Sequence, residues 1–227
     1  MQIDLIIFDC DGVLIDSEII SAKMLIAELA GMGVQIDLPF VAQHFLGRSY
    51  PTVMKVIKQD FGVHLPPEFE ENYRNRLLAA FAQGLLPIPH IHALLSSLQT
   101  PWCVATSSSP RRADQSLTIT GLRALVGDRL FTASEVPNGK PAPDLFLHAA
   151  AKMGAPPARC LVIEDSLNGI KAALAAQMPV WRFTGGSHLQ GALDDEPDGA
   201  KPALRFARFH DFPALFQSAL TPKAPQP

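Results

Sequence analysis

The sequence has little that would suit an exported, nucleic-acid-binding or membrane protein. Its three cysteines, Cys10, Cys103 and Cys160, are odd in number and form no CxxC pair, so neither a disulfide framework nor a zinc site organises it. Each lies in or beside an apolar run, the setting of a small buried hydrophobe in a reducing compartment. No block of lysine or arginine occurs and the net charge is -3, which denies nucleic acid an electrostatic footprint. No apolar run reaches membrane-spanning length, and Asp4 interrupts the stretch that a signal-peptide core would need. The expectation is a cytoplasmic, soluble protein without a membrane partner, either a monomer or a weak homodimer. Apolar residues make up 48% and charged residues 18%, ample for a buried core, and a disordered tail is expected only over 221–227.

What is present is an alternation of short apolar runs and helical stretches, the pattern of a parallel sheet flanked by helices. Runs at 3–8, 102–105, 130–132, 160–163, 180–183 and 204–206 read as strands. They are nearly continuous in apolarity, as strands covered on both faces must be. A helix is expected over 88–98, with His90 and His92 inside it as structural residues. Ser109 and Pro110 open another, Pro143 a third, and Ser166 a fourth that ends before Pro179. One interval breaks the alternation. Residues 16–85 offer no convincing strand, only helical segments at 18–30, 39–45, 52–61 and 68–81 separated by glycines and the Pro66-Pro67 pair. A structureless loop of that length is improbable inside a domain. The reading is therefore an α/β fold: a Rossmann-like parallel core from residues 1–15 and 86–227, with an inserted α-helical cap over 16–85.

Chemistry gathers at the strand ends, where open α/β sheets place their sites. The first strand ends in Asp9-Cys10-Asp11-Gly12. Acids one residue apart share a side while the backbone stays extended, and Gly12 permits a sharp turn out of the sheet. Two close carboxylates repel unless a cation or proton compensates, and hard oxygen donors of this kind select magnesium. Glu164-Asp165 repeats the arrangement at a second strand end. Ser166 reads as a helix cap, and Asn168 either orients Asp165 or satisfies a turn. At the end of the second strand, Thr106, Ser107 and Ser108 offer hydroxyls and N–H groups before a helix, which suits a phosphate. Lys140 stands before Pro141, which biases it away from helical geometry and keeps it in a loop at the sheet edge. His188 follows Gly185-Gly186-Ser187, where it either approaches the site or stays an ordinary loop histidine.

The order DxD, then Thr/Ser, then Lys, then an acidic pair, each just after a strand, resembles the haloacid dehalogenase-like superfamily over nearly the whole chain. The helical insert looks like the branch containing β-phosphoglucomutase and many sugar-phosphate phosphatases. That resemblance implies Asp9 as nucleophile and Asp11 as general acid and base. Mg²⁺ would be held by Asp9, Asp165, the Asp11 carbonyl and Glu164, the last directly or through water. Thr106, Lys140 and the Ser107 amide would grip the phosphoryl oxygens. In the insert, Gly47, Arg48 and Ser49 match the family's cap loop, with Arg48 suited to a second anionic group; Lys23, His44, Arg74 and Arg76 are further candidates. The implied substrate is a small phosphorylated sugar, polyol or sugar acid such as 6-phosphogluconate. A phosphomutase is the alternative, although Ser21 stands where such mutases carry a histidine. Another is a phosphate- or metal-binding module without turnover, which would lack both the insert and Asp11.

A donor to a poor leaving group should titrate near working pH, so Asp11 is expected to be raised from about 3.9 in a closed site.

Overall fold

The apolar runs become a six-stranded parallel sheet in the computed structural model, which describes residues 2–45, 48, 50–63, 66–189 and 196–221. The strands are β1 (Leu5–Phe8), β2 (Trp102–Thr106), β3 (Leu130–Thr132), β4 (Cys160–Glu164), β5 (Val180–Phe183) and β6 (Leu204–Phe206). Their spatial order is β3-β2-β1-β4-β5-β6. The chain thus works outward from β1 in one direction, then returns to build in the other, and the order reverses between β1 and β4. Such a reversal opens a crevice at the carboxyl ends of the strands.

Strand boundaries differ from the sequence reading in an informative way. β1 starts at Leu5, although Asp4 N–H still donates to Arg159 O at 2.8 Å and its carboxylate accepts from Arg159 Nη2 at 2.5 Å. β2 and β4 each run one residue further, through Thr106 and Glu164, which stay in register with Thr132 and Arg182. The backbone ladder continues whatever the polarity of the side chain, so these two polar residues are the last of their strands.

Alternation sorts the strand side chains onto two faces. Leu5, Ile7, Cys103, Ala105 and Val162 meet α8 (Asp144–Lys152) and α9 (Leu167–Ala175). Ile6, Phe8, Val104, Ile163 and Trp181 meet α5 (Ile91–Ser97), α6 (Pro110–Ile119) and α10 (Phe212–Leu220). A short α7 (Arg123–Val126) leads to β3. Fully burying one such large side chain stabilises by about 1.5–3 kcal/mol, so both faces matter. All three cysteines are free and buried.

Among the described residues, four helices fill the interval between β1 and α5: α1 (Glu18–Ala30), α2 (Leu38–His44), α3 (Tyr50–Phe61) and α4 (Phe69–Gly84). Leu25 and Leu29 of α1 and Leu77 and Phe81 of α4 are buried in the same apolar cluster as the second sheet face. The two connecting segments pair with each other. Asp16 N–H donates to Leu86 O at 3.0 Å and Ile88 N–H to Leu14 O at 2.9 Å, beside an antiparallel bridge of Ile15 with Pro87. That pairing shortens the helix expected over 88–98. Ile88 is spent on the crossing, His90 takes a left-handed φ of 68°, and only His92 lies within α5.

Candidate active site

The turn after β1 sets the site's geometry. Asp9 continues the ladder, its N–H donating to Ile163 O at 2.9 Å. The Cys10 carbonyl then accepts from the N–H groups of Val13, Leu14 and Ile15, and Gly12 takes a φ of 78°, so the chain reverses within a few residues. Asp9 and Asp11 are left at the crevice between β1 and β4, where Glu164 and Asp165 end the neighbouring strand.

Asp9, Glu164 and Asp165 converge there. One oxygen of each lies within 4.8 Å of the others', and all three residues are buried. Lys140 comes from its loop into their midst, with its side chain 1% exposed. Its Nζ donates to Asp9 Oδ1, to Glu164 Oε1 at 2.8 Å and to Ala105 O at 3.2 Å. The other Glu164 oxygen accepts from Ser166 N–H at 2.7 Å and from Ser166 Oγ at 3.0 Å. Burial pushes the Asp9 carboxyl well above its ordinary range, against the pull of Lys140. Burial and neighbouring Glu164 do the same to Asp165. Burial works against the Lys140 ammonium, but Asp9 and Glu164 outweigh it and its pKa is raised. Three carboxylates against one ammonium leave two negative charges uncompensated when ionised, and Asp165 Oδ2 has no hydrogen-bond partner among the described residues. A divalent cation fits such a cluster.

Asp11 sits beside this cluster in different company. Ser17 Oγ donates to its Oδ1 at 2.6 Å and Ser108 Oγ to its Oδ2 at 2.6 Å. Arg112 Nη2 donates to Oδ1 at 2.8 Å. Thr106 Oγ1 is a longer 3.4 Å from Oδ2. Burial alone would raise this carboxyl, but Arg112, Ser108 and Ser17 outweigh it and the pKa is lowered. In this arrangement Asp11 is a held carboxylate, the opposite of the proton-bearing state expected for a closed site. The reason is Arg112, a residue the sequence reading did not single out. A signal existed: Arg111 and Arg112 stand in the first turn of α6, where the helix dipole disfavours cations, so an arginine there needs an anionic partner. Glu18, the first residue of α1, is a second such residue that no local signal in the sequence marks. It lines the same cavity, and burial together with Asp11 pushes its carboxyl up to about 8.

The cavity runs from Asp9, Asp11, Thr106 and Ser107 toward the inserted helices. Arg48 and Arg74 line it, with Arg74 ion-paired to Glu70 at 2.5 Å. Lys23 is exposed, His44 stacks on Phe40 with ring centroids 4.3 Å apart, and Arg76 pairs with Glu28 at 2.5 Å; none of the three lines the cavity. Gly47 and Ser49 lie outside the described residues. Asn168 is half-buried in the first turn of α9, behind Ser166. His188 does come to the site: its Nε2 is 2.9 Å from Asp165 Oδ2.

Carboxylates at the switch point of a parallel sheet, with a lysine among them and hydroxyls opposite, form a buried acidic cluster that could hold a cation. Residues 3–177 match the family model described as haloacid dehalogenase-like hydrolase, and the chain belongs to that family. It is 29% identical over 188 residues to the 6-phosphogluconate phosphatase of Escherichia coli, spanning 82% of this chain and 85% of that one. It is 34% identical over 181 residues to an Escherichia coli fructose-1-phosphate phosphatase, covering 76% and 92% of the two chains. Among solved structures, a haloacid dehalogenase-like protein of unknown function from Agrobacterium tumefaciens superposes with a TM-score of 0.79 at 33% identity, over 96% of this chain and all (100%) of that one. A family hydrolase from Deinococcus radiodurans with bound phosphate and sodium gives 0.72 at 31% identity, over 98% and 99%. Among the described residues no helix is long and apolar enough to cross a membrane.

Proposed function

We propose that the protein is a magnesium-dependent phosphatase that hydrolyses a small phosphorylated metabolite, a sugar, polyol or sugar-acid phosphate, through a phosphoryl-aspartate on Asp9. The observation that carries this reading is the convergence of Asp9, Glu164 and Asp165 with Lys140, Asp9 and Asp165 of this group lining a cavity that Thr106 and Ser107 also border. Mg²⁺ held by Asp9, Asp165, the Asp11 carbonyl and Glu164 would supply charge neutralisation for the transferred phosphoryl group. An Asp9 oxygen attacks phosphorus in line, and the bond from phosphorus to the leaving oxygen breaks as Asp11 delivers a proton to that oxygen. Water then gives a proton to Asp11 and attacks phosphorus, the Asp9–phosphorus bond breaks, and phosphate leaves. Lys140, Thr106 and the Ser107 amide hold the non-bridging oxygens, and helices α1 to α4 act as a cap over the core.

For Asp11 to be an acid, its contact with Arg112 has to be exchanged for a proton. Arrival of an anionic substrate, competing for the guanidinium, is the simplest route. The relatives that act on 6-phosphogluconate and fructose 1-phosphate support the choice of substrate class. Hydrolysis is favoured over a mutase reaction because Ser21 has no imidazole and is occupied, donating to Ser17 O at 2.9 Å and accepting from Arg112 Nη2 at 3.1 Å.

The test is release of p-nitrophenol from p-nitrophenyl phosphate with EDTA and after Mg²⁺ is restored, followed by a panel of about a hundred phosphorylated metabolites. Turnover lost in EDTA and regained with Mg²⁺ is expected. Turnover indifferent to EDTA would overturn the metal assignment, and no turnover on any ester would favour a binding module.

A further inference from the structure

The motif Gly185-Gly186-Ser187-His188 is not accounted for by phosphoryl transfer as set out above, yet it packs against the site. Ser187 begins a single 3-10 turn, Ser187–Leu189, directly after the loop leaving β5. Its N–H and Oγ donate to Asp16 Oδ1 at 3.0 and 2.9 Å, which ties the turn to the segment crossing into α1. The tie delivers the next residue, His188, into the interior with its side chain 6% exposed.

The ring is wedged between two glycines. A Cβ at Gly12 would lie 2.3 Å from Asp165 Oδ2 and 2.9 Å from His188 Cε1. One at Gly186 would lie 2.7 Å from Cε1 and 2.8 Å from Nδ1. Distances below 3.0 Å cannot be met without displacing the ring or the carboxylate. Bare backbone at both positions is therefore what allows the imidazole to reach Asp165. Its Nε2 ends 2.9 Å from Asp165 Oδ2, with the carboxylate side chain 2% exposed. The two atoms are in reach but not aligned, and neither has a hydrogen-bond partner among the described residues. His188 does not belong to the three-residue cluster itself, so it stands behind the carboxylate rather than beside Asp9 and Glu164.

We infer that His188 is a positioning residue for the metal-holding carboxylate, donating from Nε2 to Asp165 Oδ2 once the ring turns slightly, and so reserving the other oxygen for the ion. The inference rests on the divalent-metal reading of the site. Ligating carboxylates are ordinarily held by such outer partners, whose loss weakens metal affinity by about 10–100-fold.

The test compares two variants of similar size: His188→Gln, which keeps an N–H donor near the Nε2 position, and His188→Met, which has none. Mn²⁺ binding is measured without substrate, by the electron paramagnetic resonance signal of free Mn²⁺, for wild type and both variants. The expected result is wild-type affinity within about threefold for Gln and a loss of about 10-fold or more for Met. Equal affinities in the two variants, whether both are strong or both weak, would overturn the role of His188. If wild type itself binds no Mn²⁺, the metal reading fails first and takes this inference with it.

Discussion

Asp11 shows how one carboxylate can be read correctly for position and still be incomplete in state. Its place two residues after Asp9 was legible in the sequence, because an extended backbone puts both on one side. Its protonation was not, because that depends on Arg112, about a hundred residues away in sequence and only hinted at by a cation at a helix amino end. The structure makes Asp11 a carboxylate held by Arg112, Ser108 and Ser17. A carboxyl whose folded pKa is depressed contributes stability above its unfolded value near 3.9 and loses it as pH falls through the folded value. Arg112→Gln should therefore be less stable than wild type by about 1.5–3 kcal/mol near pH 6.5, the range for a hydrogen bond to a charged group. The gap should close as the pH is lowered below about 4, which urea unfolding across pH would follow. Glu18 has the opposite sign. With a folded pKa of about 8, it keeps its proton in the native protein while the unfolded chain gives it up, so its contribution falls as pH rises from the unfolded value toward 8. Glu18→Gln removes that loss. Its melting temperature in EDTA should match wild type near pH 4.5 and exceed it increasingly up to pH 8; a constant difference across that range would refute the assignment.

Secondary structure was legible wherever a local signal and the tertiary context agree. The apolar runs became β1 to β6 because burial on both faces demands what their sequences offer. Ends were harder, since Thr106 and Glu164 follow the ladder of their neighbours rather than their own polarity. Helix starts divide in the same way. Ser109 and Ser166 read alike as caps, yet only Ser166 Oγ accepts from the third helical residue, Gly169 N–H, at 3.1 Å; Ser109 makes no side-chain cap. The difference has a measurable consequence. Ser166→Ala should destabilise by about 1–2 kcal/mol, combining the lost cap with the lost bond to Glu164. Ser109→Ala should stay within about 0.5 kcal/mol. Chemical denaturation of the two variants side by side checks both values, and equal costs would contradict the cap geometry. The helix expected from residue 88 shows the reverse influence, because its first residues are taken by the pairing of the two crossing segments. No local pattern announces a partner more than seventy residues away.

At the scale of the whole molecule, strand order is what brings the site together. Asp9 and Asp165 lie far apart in the chain but end adjacent strands, β1 and β4, on either side of the reversal. The class of fold and the acidic strand ends were legible because each strand–polar–helix unit repeats the same local grammar. Which unit would neighbour which was not, since strand order is decided by long-range packing; the four-part resemblance implied only that these strand ends share one ion. The inserted helices were visible as a gap in strand signal. Their sharing of one apolar cluster with the sheet was not, because that depends on how α4 meets α6, which itself packs on that face. The proposed mechanism depends above all on Asp9 taking the phosphoryl group from substrate. The most direct measurement is an acid quench within the first turnover of a hydrolysed substrate, followed by mass spectrometry of the peptide containing Asp9. One added phosphoryl group on Asp9 is expected in wild type, and neither label nor turnover in a folded Asp9→Asn variant. A phosphoryl group found on another residue, or turnover that persists in Asp9→Asn, would contradict that mechanism.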